Sequence, residues 1–233
     1  YADLNGDSLV NVSAEERKKA LVDYALPKNI KKMQADMEKY KIFYDKWFFE
    51  SELHKSGAVK AVVDLLTKKG LTYEKDGAVW YKNKEVLTQK LLKEGKSQKY
   101  IDNLELKDDV LIRQNGNPTY FTADIAYHKN KFDRGFTTLI DVWGADHHGH
   151  VMRMKGAMDA IGYDGDKLNV VLMQLVKLVK DGELVRMSKR TGKAIQLGDL
   201  LDEVPVDSAR FLFNTKEANT QMDFDLDLAV SQD

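Results

Sequence analysis

Cysteine is absent from the 233 residues, which excludes a disulfide scaffold, a thiolate zinc site and a cysteine nucleophile, and fits a cytosolic compartment. Charge of one sign is also missing. Lys plus Arg number 36 against 37 Asp plus Glu, a formal charge of -1, which argues against gripping nucleic acid by bulk charge and leaves only a local basic patch for that purpose. No apolar run approaches the roughly 18 residues of a membrane span, and no signal-peptide pattern opens the chain. Repeats and low-complexity tracts are absent. With three prolines and 43% hydrophobic residues, what remains is an ordinary globular composition. The length suits one large domain with an insertion or two modest domains. A first residue Tyr1 and a last residue Asp233 in mid-pattern read as a piece of a larger protein.

Ser13-Ala14-Glu15-Glu16 has the form of a capping box, so a helix is expected to about Tyr24, and a second from Pro27 to Lys39 through Ile30, Met33 and Met37. Ile42 to Phe49 is a dense aromatic, strand-like segment ending at Glu50. Ser56 can cap a helix with Val59, Val62, Val63, Leu65 and Leu66, stopped by Gly70. Leu71 to Tyr81 reads as a hairpin around Asp76-Gly77. Residues 82–107 are Lys-rich and weakly patterned, most simply a solvated face. A short strand at Val110 to Ile112 leads to a helix around Ile125 to Asn130. Next come an apolar strand from Thr138 to Trp143, a helix from His147 to Ile161 and a continuous apolar stretch, Leu168 to Val179, expected to be a strand covered on both faces. Strand, helix, strand is a parallel crossover unit, so the second half reads as α/β. Short helices follow at Leu197 to Val204 and Asp207 to Phe213.

Three segments offer chemistry. Arg186, Lys189, Arg190 and Lys193 crowd a turn-rich stretch that can fold over a polyphosphate, although an exposed basic hairpin tip explains the charges equally well. Gly144-Ala145-Asp146-His147-His148-Gly149-His150 lies where a strand gives way to a helix, the place where α/β sheets bind nucleotides. Small Gly144 and Ala145 allow close approach, and Asp146 and His150 can bond sugar hydroxyls. A zinc reading of the three histidines is disfavoured, because His147 and His150 are three rather than four apart with no acidic base between them. Glu50, Tyr120 and Asp124 form the third set. Two carboxylates beside aromatic surfaces suit a planar guanidinium, while the simpler account makes Asp124 a helix cap and Glu50 a surface residue.

The ordered combination is more specific than its parts. Trp47-Phe48-Phe49-Glu50-Ser51, Asp76 to Trp80, Thr119 to His128, Val142 to Val151, Arg186 to Gly192, Asp207 to Phe211 and Asp223 to Asp227 together resemble the catalytic core of a class I aminoacyl-tRNA synthetase, specifically the arginyl-tRNA synthetase family. The resemblance covers nearly the whole chain. It implies a Met-Ser-Lys loop closing on ATP with Lys189 and Ser188 as catalytic residues beside Met187, and with Arg186 in place of the signature's first lysine. It implies an arginine pocket of Glu50, Tyr120 and Asp124, and it places Gly144, Asp146 and His150 on the nucleotide, Asp146 serving arginine as well. By analogy with class I sheets, the backbone near Val176 is expected to meet the adenine. His147-His148-Gly149-His150 fits the His-x-Gly-His phosphate signature literally, but it follows a late strand, so the resemblance assigns it to the downstream motif.

The implied fold is α/β: a partial class I Rossmann-like nucleotide-binding domain, its first half and true signature absent, with an α+β insertion and the start of a helical stem domain. The implied boundaries are 1–20 for the remnant of an earlier insertion, 21–50 and 118–204 for the catalytic domain, 51–117 for the insertion and 205–233 for the stem. The implied activity is ATP-dependent ligation of L-arginine to its tRNA through arginyl adenylate. Mg2+ is the expected helper, the protein has no resident metal site, and the parent is a monomeric cytoplasmic enzyme that grips tRNA mainly through other domains. This piece alone is expected to be inactive. Another class I synthetase, or a non-catalytic module derived from one, remains open at this point.

Overall fold

The computed structural model describes residues 1–185 and 195–231. The basic segment with Arg186, Met187, Ser188 and Lys189 lies outside them. The chain divides into two compact units, one of Tyr1–Lys46, Val176–Glu217 and Met222–Asp233, the other of Trp47–Leu175 and Ala218–Gln221.

The first unit opens with α1 (Ala2–Asn5) and α2 (Ala14–Lys39). The capping box is formed: the Ser13 hydroxyl accepts from the Glu16 amide at 3.2 Å, and the Glu16 carboxylate accepts from the Ser13 amide at 3.0 Å. Where two helices were expected there is one, with Pro27 inside it. Pro27 is exposed, so the carbonyl that its ring leaves unbonded can turn to water, and the helix continues. It ends in a Schellman motif at Lys41 (φ 62°), where the Lys41 amide donates to the Glu38 carbonyl and the Ile42 amide to that of Met37, both at 2.9 Å.

The second unit begins within the aromatic run. Residues 42–49 form no strand; the Phe48 ring stacks on Tyr127 at 4.6 Å instead, and α3 (Glu50–Lys55) starts at once, followed by α4 (Ala58–Lys68). Then β1 (Thr72–Lys75) and β2 (Ala78–Tyr81) form the expected hairpin, both turn residues Asp76 and Gly77 having positive φ. Together with β3 (Asp109–Ile112) they make a three-stranded antiparallel sheet in the order 1-2-3. The Lys-rich stretch between them is not merely a solvated face. It forms α5 (Asn83–Lys93) and α6 (Gln98–Asn103), which bury Leu87, Leu91 and Ile101; three apolar anchors among many lysines give little periodic signal.

Next come α7 (Tyr120–Asp133), β4 (Leu139–Gly144), a 3-10 turn (Ala145–His147), α8 (His148–Ile161) and β5 (Leu168–Met173). Strands β4 and β5 run parallel from Leu139↔Leu168 to Gly144↔Met173, completing the expected crossover through α8. One core draws on α3, α4, β2, β3, α7, α8 and β5, with Leu53, Leu66, Tyr81, Leu111, Phe121, Ile125, Met154, Met158 and Leu168 in it. The apolar stretch after α8 is not a single strand covered on both faces. It breaks at Gln174 and Leu175, and Ile140, Val142, Val171 and Met173 of the parallel pair are exposed, because only the opposite face of these two strands packs into the core.

The chain then returns to the first unit. There β6 (Val176–Lys180) pairs antiparallel with β7 (Glu183–Leu184) across the Asp181-Gly182 turn and parallel with β8 (Met222–Asp225). The helices α9 (Leu197–Glu203), α10 (Val206–Phe213) and α11 (Leu226–Val230) close a second core of Leu200, Leu201, Val204, Ala209, Phe224 and Leu226. Helix α2 meets these elements through its C-terminal half: Lys32 Nζ reaches Gln196 Oε1 at 2.7 Å, and Arg210 Nη1 donates to the Tyr40 carbonyl at 3.0 Å. Among the described residues no helix is long and apolar enough to cross a membrane.

Candidate active site

Helix α7 is pinned where it starts. Thr119 caps it, its hydroxyl accepting from the Thr122 amide at 3.4 Å and donating to the Val110 carbonyl at 2.8 Å, while the Thr122 hydroxyl donates to the Leu111 carbonyl at 2.8 Å. Asp124 is therefore not the cap. It lies inside the helix, one turn after Tyr120 on the same face. Its side chain is 44% exposed, and Tyr120 is 78% exposed. Glu50, the first residue of α3, lies 3.2 Å from His54 Nε2.

Glu50 and Asp124 line one cavity of about 150 Å³, together with Phe48, Leu53, Ala123 and Tyr127. Tyr120 stands outside that lining. Two carboxylates lining one cavity with a pair of stacked aromatic rings form a setting in which a guanidinium can bond bidentately and lie flat on a ring. Phe48 and Tyr127 were not singled out by the sequence reading, although Tyr127 follows Asp124 by three residues, a helical spacing that marks a shared face.

The segment after β4 reaches Asp124 through His150. Gly144 has ordinary φ, and a Cβ there would meet only the end of the exposed Asp146 side chain, at 2.6 Å from Oδ1. The Asp146 side chain is 84% exposed, with His147 Nε2 at 3.9 Å. His150, only 15% exposed, has Nε2 at 3.2 Å from Asp124 Oδ2 and Nδ1 at 3.0 Å from Arg153 Nη2. The Trp143 and Phe121 rings flank it at 5.2 and 5.6 Å. His150 thus ties the carboxylate cavity to the β4–α8 junction, a link that neither motif reveals separately.

Behind the cavity, His128 Nδ1 lies 2.7 Å from the Asp124 carbonyl, and its Nε2 bonds Asp141, whose other oxygen takes Lys131 Nζ at 2.6 Å. Asp124 is held by backbone and side chain together. Val176 opens β6 in the other unit, paired with Met222. Met187, Ser188 and Lys189 fall outside the described residues. Among the described residues no three His, Cys, Asp or Glu side chains gather in a group that could hold a metal ion.

A parallel β-α-β crossover with Gly144 to His150 at the carboxyl end of its first strand is the arrangement in which open α/β sheets bind nucleotides. Residues 37–232 match the family described as tRNA synthetases class I (R), catalytic domain. The arginine--tRNA ligase of Ruminiclostridium cellulolyticum is 52% identical over 98% of the chain, and that of Caldanaerobacter subterraneus subsp. tengcongensis 53% identical over all of it. A solved structure from Campylobacter jejuni carrying the arginyl-tRNA synthetase name superposes with a TM-score of 0.80 at 32% identity, covering 99% of this chain and 46% of that one. The chain belongs to the arginyl branch of the class I tRNA synthetases. It spans 38% of the length of the two ligases.

Proposed function

We propose that this chain supplies the arginine pocket and the later part of the ATP site of a ligase that joins L-arginine to its tRNA. The observation that carries the reading is the meeting of Glu50 and Asp124 on one aromatic-walled cavity, with His150 bonded to Asp124. The guanidinium of arginine enters between the carboxylates, with Tyr120 at the mouth. Gly144, Asp146 and His150 lie beside it for the nucleotide, and Asp146 serves the amino acid as well.

In the first step the arginine carboxylate attacks the α-phosphorus of ATP and pyrophosphate leaves. In the second, a terminal ribose hydroxyl of the tRNA takes the acyl group and AMP leaves. The protein's work is alignment and charge compensation. Lys189, with Met187 and Ser188, offsets the charge on the phosphates as pyrophosphate departs, and the backbone near Val176 meets the adenine. Mg2+ accompanies the ATP phosphates. The same proposal divides the chain into catalytic segments 21–50 and 118–204, the insertion 51–117, the stem from 205 and a remnant at 1–20, in a monomeric cytoplasmic parent.

Selection follows from the carboxylates, to which a neutral side chain would offer none of the charged, paired hydrogen bonds of a guanidinium. In the intact ligase with its tRNA present, Asp124→Asn and Glu50→Gln should each lower kcat/KM for arginine in ATP–pyrophosphate exchange about 10- to 100-fold, the scale of one charged hydrogen bond. The KM for ATP should change far less. Unchanged arginine kinetics in both variants would remove the pocket assignment.

A further inference from the structure

His150 has two ring nitrogens and two different neighbours. Nδ1 faces Arg153 Nη2 at 3.0 Å and Nε2 faces Asp124 Oδ2 at 3.2 Å. A guanidinium has only donors, so the nitrogen it meets must accept. Nδ1 therefore carries the lone pair and Nε2 the hydrogen, which is the arrangement a carboxylate on the Nε2 side requires. An imidazole with its hydrogen on Nδ1 would meet a donor with a donor and a carboxylate with a lone pair.

Arg153 is itself held from two sides. Its Nη1 lies 3.2 Å from Asp109 Oδ1, and its guanidinium sits 5.1 Å from the centre of the Phe121 ring. Asp109 belongs to β3, so the insertion sheet anchors the arginine that orients a histidine of α8. Burial pushes the Asp109 carboxyl above its ordinary range, and the charge of Arg153, then that of His150, opposes that rise.

We propose that Arg153 is a positioning residue for arginine recognition: by fixing the Nε2–H tautomer of His150, it makes His150 a donor to Asp124 Oδ2 and leaves Oδ1 for the incoming guanidinium. The consequence for arginine rests on the pocket reading above; the tautomer does not.

The test is side-chain nitrogen NMR on this chain labelled with 15N-histidine, well above the ordinary histidine pKa, with His150→Gln to assign the resonance. The wild type should show an unprotonated, hydrogen-bond-accepting Nδ1 on His150. Arg153→Met, similar in length but without a donor, should move that resonance toward the non-accepting position, and Asp109→Asn, which loosens the anchor, should move it part of the way. A wild-type His150 protonated on Nδ1, or a resonance that moves in neither variant, overturns the proposal. Should Arg153→Met fail to fold, the wild-type spectrum and Asp109→Asn still decide.

In the intact ligase, Arg153→Met should raise the KM for arginine about tenfold, the worth of one well-ordered hydrogen bond, and do so more than the KM for ATP. A fold that is merely weakened would move both together. A displaced Nδ1 with an unmoved arginine KM would overturn the positioning role, while the pocket itself stands or falls with Asp124→Asn and Glu50→Gln.

Discussion

Asp141 is 8% exposed, and both of its oxygens are occupied, one by His128 and one by Lys131. Burial alone would push the carboxyl up; the hydrogen bond and charge of His128, then those of Lys131, outweigh it and hold the carboxyl below its ordinary range. A carboxylate depressed in the folded state contributes stability that is fully present above the unfolded value, about 3.9, and is lost as the pH falls through the lower folded value. Asp141→Asn should therefore cost about 3 kcal/mol at pH 7, as expected when a buried ion pair loses one partner. The gap from wild type in urea unfolding should close as the pH drops below about 4; a gap independent of pH would mean that the carboxylate charge is not what the cluster needs. At this scale the dense motifs of the sequence lead to Glu50 and Asp124, which line one cavity, and to Tyr120, which stands outside that lining. Arg153 was not legible, because an arginine on a polar helix face reads as solvated until its distant partner Asp109 is placed beside it.

Among the elements, α2 illustrates how local signals succeed and fail. Its start was readable from Ser13 and Glu16, since a cap is a contact within one turn. Its passage through Pro27 was not, because the cost of an interior proline is real but finite and depends on whether the freed carbonyl can reach water. The helix buries no residue completely, and the bonds from Lys32 and to the Tyr40 carbonyl lie in its C-terminal half. Backbone amides of residues 14–26 should thus exchange with solvent faster than those of 30–39, and Pro27→Ala should slow the first group, restoring a hydrogen bond and up to about 3 kcal/mol of helix propensity. Equal exchange in both halves would show that the proline does not divide the helix. Strand pairing was the harder problem: residues 42–49 have strand-like composition, but β propensity reports fit to a half-buried surface, and their aromatic Phe48 is taken up by Tyr127.

At the scale of the molecule there are two cores, and each can be probed by itself. Phe224 is fully buried in the smaller one, its ring 4.8 Å from Phe213 and its backbone opposite Leu178. Phe224→Ala should cost about 3–5 kcal/mol and speed amide exchange in β6 and β8; unchanged exchange there would mean that Phe213 and its neighbours close the space. The near-zero net charge, which argues against a nucleic-acid grip by bulk charge, describes a chain of 38% of its relatives' length and does not bear on the parts of those relatives that lie outside the match.

Gly156, midway along α8, admits Leu87 of α5 so closely that a Cβ would lie 2.6 Å from it, and Lys90 on the next turn of α5 meets Asp159 at 2.7 Å. Helix α5 is thus interlocked in space with the helix carrying His150 and Arg153. For recombination, natural or engineered, the proposed insertion 51–117 would be a poor unit of exchange: a foreign segment would have to bring its own knob for the Gly156 notch, and substitutions at 87 and 156 should travel together through the family's history.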